Sequence, residues 1–566
     1  MKNKTNALII ATSLFTASSV FAQADFNLDG FGRSIFTSNK LGGKMVEGDT
    51  LNDKKSVAGY ALFDLGTKIK YRDLFRAEAI LRAKSPFGDF FGARSFFEFR
   101  QFLLAGKINE NINYEIGDLN IGLTPYTVYN HQEMYSDFEA DIYKERRSVL
   151  EYENFIFGNI WRLQGAQTRL EYQVLDTLTK IKGYGFGART NASNNTSVPD
   201  RLLAGGNLSF LRGEWLELGF NYTGLLDVSV QRAATDYQSN VLTTNLKAFY
   251  LNNDNFNVGL VSELGSSYAN YTSKTERKSL NLNDYFYDAK AVGGIKAAKI
   301  NLFAGIKEVG PGFSSPAAQT TRLDVMTRQQ ILPTFSRATT QILFDRFTEE
   351  GLYNRNIRPQ FYFFDPMFGN ITPYGAATPN RRGMSFGASS DSSLKVIKAE
   401  VQIDMFSEII GEGTTALRRF TGIKGGVSAD LGKALGSKRL IKLDLGVRNE
   451  NTVRDDNAKV DLRTNMLDAG LTVEAIKKID IMLGLKTITA KGNEWIGARD
   501  EFNQLTDFTR VNYDETQTIT SFGGRIRFAD NSYFSINYNM SNQSYKLNEN
   551  RNYNFNQLFL NYTIKL

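Results

Sequence analysis

Every second residue from Leu558 to Leu566 is apolar or aromatic: Leu558, Leu560, Tyr562, Ile564 and Leu566 alternate with Phe559, Asn561, Thr563 and Lys565. A period of two is the repeat of a β-strand, whose successive side chains leave opposite faces. The repeat returns upstream, with Phe534, Ile536, Tyr538 and Met540 set against Ser535, Asn537 and Asn539, and with Phe522, Gly524, Ile526 and Phe528 set against Ser521, Gly523, Arg525 and Arg527. Ala469 to Ala475, Ile441 to Val447 and Ala399 to Met405 carry it again. Each stretch reads as an amphipathic strand of up to about ten residues.

Composition narrows the choice of apolar medium. With no Cys, the chain has no disulfide framework, no thiolate zinc site and no thiol nucleophile. Its mean hydropathy of -0.32, with no apolar run of about 18 residues beyond the N-terminus, excludes a bundle of membrane-spanning helices. Strands remain allowed, because they keep half of their polarity on one face. Lys2 and Lys4, the apolar run Ala7 to Phe15 and the small residues of Val20-Phe21-Ala22 read as a secretory signal peptide over residues 1–22, cleaved after Ala22. A cut after Ala24 fits too. Cleavage removes Lys2 and Lys4 from 67 basic residues and leaves 60 acidic ones untouched, an excess too diffuse to imply nucleic acid.

Connection lengths separate a soluble sandwich from a membrane barrel. Tyr71-Arg72-Asp73, Asn109-Glu110-Asn111, Arg212-Gly213-Glu214, Asn252-Asn253-Asp254, Ile476-Lys477-Lys478 and Ala529-Asp530-Asn531 read as tight turns, whereas Lys491 to Glu515 and Gln543 to Asn556 read as long loops. A sandwich has no reason to sort its connections by length. About ten tight turns, with both termini on their side, imply about 22 strands.

The signal peptide, the alternating strands and the final strand together resemble the bacterial outer-membrane β-barrel proteins, porin-like in the broad sense, over residues 26 to 566. The resemblance implies an all-β fold in a Gram-negative outer membrane: a single transmembrane antiparallel β-barrel over residues 23–566, with short periplasmic turns and long extracellular loops. Members of that class usually finish on an aromatic residue, whereas this chain finishes on Leu566 with Phe559 and Tyr562 close by. Energised transporters of similar size carry a plug domain ahead of the barrel. Here strand-like residues, Phe26 to Thr37, follow the leader directly, so no plug of that kind is expected.

A barrel of about 22 strands needs something in its lumen. Two stretches are long enough, Leu123 to Asn159 and Gly310 to Arg381. The second holds seven of the ten prolines and the run Phe361-Tyr362-Phe363-Phe364, which favours irregular, partly rigid chain. Residues 310–381 are therefore expected to fold inward or cap the mouth.

Alternation also assigns the inner wall. Lys398, Lys424, Lys442, Arg448, Lys486, Arg525, Arg527 and Lys565 are read as facing the lumen, against Glu400, Asp404, Asp430, Asp444, Asp468 and Glu474. Opposite charges on neighbouring strands can pair and simply solvate a wet wall. A modest preference for anions, led by Arg525 and Arg527, is the sharper alternative.

Catalysis finds few candidates. His131 is the sole imidazole, in a loop, so any histidine-dependent mechanism must use it. Asp455, Asp456 and Asp461 do not match a calcium loop and read as a solvated loop tip. Gly425-Gly426 and Gly523-Gly524 suit bends or close packing, not phosphate cradles. No enzyme activity, metal or cofactor is implied. The polar inner face favours a passive channel for small polar solutes. The alternative is a non-conducting scaffold in an outer-membrane assembly or secretion machine, with outer-membrane lipid and outer-membrane proteins as partners.

Overall fold

The computed structural model describes residues 24–47, 55–72, 74–87, 95–128, 138–154, 162–174, 178–191, 199–228, 233–318, 366–390, 396–500, 502 and 504–566. The proposed signal peptide and His131 fall outside them. The described residues form a sheet of 22 strands, each antiparallel to its neighbours in the chain. The sheet closes on itself. β1 (Ala24–Gly42) pairs with β22 (Tyr553–Lys565) from Phe31 opposite Lys565 to Gly42 opposite Asn554. Closure leaves no unpaired edge, which is the only way a sheet can cross a bilayer with every backbone polar group satisfied.

The wall obeys the period of two. On β17 (Ile441–Arg454), Leu443, Leu445 and Val447 are 38–43% exposed, while Asp444 and Arg448 on the alternate positions are at most 3% exposed. The apolar row faces outward and the charged row inward, the reverse of a soluble fold. β2 (Lys55–Tyr71), β3 (Phe75–Pro86), β4 (Phe96–Asn109), β5 (Ile112–Asn120), β6 (Arg162–Gln173) and β7 (Thr179–Asn191) form one side of the barrel. β15 (Ile397–Ser407), β16 (Arg419–Asp430), β17, β18 (Val460–Ile476), β19 (Ile479–Arg499), β20 (Leu505–Ala529), β21 (Ser532–Tyr545) and β22 form the other.

Several strands outrun their sequence estimate. β19 has 21 residues and β20 has 25, about twice what a bilayer crossing needs. The stretch Lys491 to Glu515, expected as a long loop, is mostly this hairpin: Arg499 pairs with Leu505, so only residues 500–504 connect the strands. Beyond the bilayer both faces of a ribbon meet water, so its alternation loses contrast and resembles loop composition.

Helix α1 (Asp141–Asn154) lies inside the barrel. It belongs to the connection between β5 and β6, within the first of the two lumen-filling candidates. The described flanks of the second candidate, residues 310–318 and 366–380, also lie against the inner wall. Phe313 meets Phe286 edge-on at 5.0 Å, and the Met367 carbonyl accepts a hydrogen bond from Arg448.

Candidate functional site in the lumen

The inserted connection is anchored at both of its described limbs. In the first, Leu123 and Val128 close a turn, the Tyr126 ring stacks on Phe286 at 3.9 Å, and its hydroxyl donates to Asp288 at 2.8 Å. The Thr124 hydroxyl donates to Glu263 at 2.7 Å. The second limb, residues 138–154, reaches the other side of the barrel. There the wall has been cleared of side chains. A Cβ added to Gly426 would lie 2.4 Å from Phe138, one at Gly470 2.4 Å from Ala140, and one at Gly484 2.7 Å from Ile142. These glycines, on β16, β18 and β19, form a track on which residues 138–143 lie. Close approach, not a bend, is what Gly426 serves.

Charge fastens the segment to the track. Lys486 Nζ sits 2.6 Å from Glu139 and 3.0 Å from Asp468, and Arg147 Nε donates to Glu139 at 2.6 Å. Burial by itself raises the Glu139 carboxyl, but Lys486 and Arg147 outweigh it and hold the group at about 2. Lys442 bridges Asp141 at 2.6 Å and Asp444 at 3.1 Å. Desolvation opposes ionisation of Asp141, and Lys442 nevertheless keeps its carboxyl below the usual range. The backbone N–H of Ala140 donates to Asp468 at 3.1 Å, and the Tyr143 hydroxyl to the Ile519 carbonyl at 2.9 Å.

Further along α1 the partners change character. Glu145 accepts hydrogen bonds from Ser535 and, at 3.0 Å, from Asn561, and among the described residues no cation pairs with it within ion-pair distance. Burial consequently pushes its carboxyl upward. The Arg146 guanidinium lies 4.5 Å over the Phe559 ring, and its burial lowers it to about 10. Tyr152 ends the run as a latch, stacked 3.6 Å from Arg100 and hydrogen-bonded to Asp64, which also pairs with Arg82 and Arg100.

Most of the sequence-assigned wall charges fall into three groups. Lys442, Asp444, Lys486 and Asp468 surround α1. Lys424 pairs with Asp404 at 3.6 Å, Asp404 also accepts from Ser385 and Gln402, and Lys398 lies 5.6 Å from the Phe138 ring. Glu400 stands half-buried beside them on β15. Arg525 and Arg527 converge on Asp480 at 2.9 Å each, and Arg527 also meets Glu474 at 3.0 Å. Their charge is thus matched by two carboxylates at the short-turn end. Arg448 is taken up by the Met367 carbonyl. Asp430 caps a short helical turn by accepting from Lys433 at 3.1 Å, and Lys565 lies at the end of β22. Asp456 accepts from the Ala458 N–H within its own loop, and Asp455 and Asp461 face Arg419 and Arg463.

The wall of β2 to β7 is different. Lys68, Arg76, Arg169, Lys180 and Lys182 keep 44–53% of their side-chain surface exposed. The carboxylates paired with these five cations are Glu78, Glu115 and Glu171, each shared by two of them, while Asp64 farther along β2 is taken by the buried Arg82 and Arg100. These residues fall outside the last strands, whose alternation assigned the inner wall. The signal was available in Lys68 with Lys70, Arg76 with Glu78, and Lys180 with Lys182, each pair two residues apart.

No family model matches the chain, and no curated protein matches its sequence. Solved structures similar over most of its length include Pseudomonas aeruginosa OccK5 (OpdH), at 10% identity over 95% of this chain and 98% of that one, with a TM-score of 0.34. A BenF-like porin from Pseudomonas fluorescens Pf-5 has 9% identity over 96% and 99%, with a TM-score of 0.35. The unliganded ferric citrate transporter FecA has 10% identity over 95% and 78%, with a TM-score of 0.47. Strand count and closure stand on the pairings themselves. A closed ring of 22 antiparallel strands, apolar outside and charged inside, is a transmembrane β-barrel of the bacterial outer-membrane type.

Proposed function

We propose that the protein is a passive channel for small polar solutes, narrowed from within by the connection between β5 and β6. The observation that carries this reading is the division of the inner wall. Across β16 to β22 most of the charges named above are engaged with the inserted chain or with each other, whereas at the short-turn ends of β2 to β7 Lys68, Arg76, Arg169, Lys180 and Lys182 stay about half exposed, and only farther along are Arg82 and Arg100 buried on Asp64. A water-lined strip beside a fixed insert is what a restricted conduit requires. An untethered lumen of this width would pass solutes indiscriminately.

Single-channel recording in planar bilayers tests the reading. Wild-type barrel is expected to carry small, steady currents, and replacement of residues 138–154 by a Gly-Ser linker to raise the conductance several-fold. Silence from a folded, heat-modifiable preparation of both proteins would instead support a non-conducting scaffold. One observation favours that second reading: residues 139–152 are bound by ion pairs or hydrogen bonds to strands on both sides of the closure, as a permanent closure would be. Copurification of partner proteins from detergent-solubilised outer membranes separates the two further.

A further inference from the structure

The solvated wall holds a cavity of about 340 Å3 toward the short-turn ends of β2 to β6, at the lower end of the range for small-ligand sites. Its lining includes five cations, Lys70, Arg72, Arg76, Lys107 and Arg169, and one carboxylate, Glu115. The register explains the hollow. Arg76, Ala105, Glu115 and Gln167 are successive partners across β3 to β6, and Lys107, Asn113 and Arg169 form the next row. Ala105 offers only a methyl group, so the long side chains around it stand over a low floor.

The donors there are incompletely used. Glu115 lies 3.7 Å from Arg76 and from Arg169, beyond hydrogen-bond reach, and accepts its hydrogen bond from Gln167. Arg76 spends its Nε on Glu78 at 3.1 Å, which leaves its terminal nitrogens directed elsewhere. Arg169 is steadied by the Tyr184 ring at 5.2 Å. Among the described residues Lys107 has no ion-pair partner. Lys70 stands opposite Asp25 on β1, so the site is carried by Arg76, Lys107 and Arg169.

We propose that this hollow binds a small oxyanion, the carboxylate or phosphate group of a solute. Two guanidinium forks and an ammonium around one cavity match the planar or tetrahedral oxygens of such a group, where charge-assisted hydrogen bonds are strongest. The proposal rests on the conduit reading only in treating the ligand as a solute in passage; binding itself does not require conduction.

Isothermal titration of the full-length barrel in detergent, with inorganic phosphate and with succinate as probes, tests binding independently of transport. Wild-type protein is expected to bind at least one probe. The triple variant R76Q/K107Q/R169Q is expected to bind it at least about tenfold more weakly. Glu115→Gln, which removes the competing carboxylate, is expected to bind it several-fold more tightly, a gain that a misfolded barrel would not show. No binding of either probe by wild type, equal binding by the triple variant, or unchanged or weaker binding by Glu115→Gln would each overturn the site, whatever the conductance. Reversal potentials in a chloride gradient read the pore separately. In a conducting barrel the triple variant is expected to lose anion preference, and currents of unchanged selectivity would show that the hollow does not act on passing ions.

Discussion

Lys486 holds the inserted segment from the wall side, between Glu139 and Asp468 and almost without solvent. Removing one partner of a buried pair strands the other charge, at a cost of about 3–5 kcal/mol. Lys486→Met is therefore expected to release residues 138–154, read as lost amide-exchange protection there while the strands stay protected. Glu139 and Glu145 answer to pH with opposite sign. Glu139 titrates in place at about 2 against an ordinary 4.5, so its contribution to docking is complete above the ordinary value and is lost as pH falls from there toward 2. Glu145 is shifted upward by burial, so its protonated form suits the docked state and acidification through its own titration tightens α1. Glu145→Gln is accordingly expected to protect α1 more at neutral pH, by on the order of 1 kcal/mol, and unchanged or reduced exchange protection would count against this. The sequence assigns wall charges to a face only through the strand period. It did not mark their mates: Arg525 and Arg527 read as spare cations until Asp480, at the start of β19, is placed between them.

At the scale of elements, the strands were legible and α1 was not. Four of its charged residues, Lys144, Glu145, Arg146 and Arg147, occupy consecutive positions and so point around the axis. The apolar stripe that betrays a surface helix is missing because the surroundings are a charged wall instead of a core. Of the glycines beneath the segment, Gly426 reads from sequence as a strand glycine suited to a bend or close packing, but nothing in the sequence says against what. A Cβ at Gly470 would lie 2.4 Å from that of Ala140. Gly470→Val is expected to dislodge residues 138–143 while leaving the barrel heat-modifiable, detected as new proteolytic cleavage within 138–154 and raised bilayer conductance. An unchanged cleavage pattern would show that the track does not position the segment.

For the whole molecule, the decisive pairing joins residues more than 500 positions apart. Gln557 donates to Asn39 at 2.9 Å across the junction of β1 and β22. Because the chain has no native Cys, Asn39→Cys with Gln557→Cys gives a clean test. Directly opposed strand positions lie about 4.5–5.5 Å apart, within disulfide range. The oxidised chain is expected to migrate faster than the reduced one after full denaturation, and equal mobility would argue against closure at this register.

The sequence by itself determined the wall: alternation fixes which side of each strand meets lipid, and the number of tight turns fixes the number of strands closely, because both are written within a few neighbouring residues. Only the tertiary structure decided how the interior is filled. Glu139 and Lys486 are separated by 347 positions, and what joins them is the curvature of a closed sheet bringing remote inner faces around one insert. Contacts of that kind impose no repeat on the chain, so no local pattern announces them.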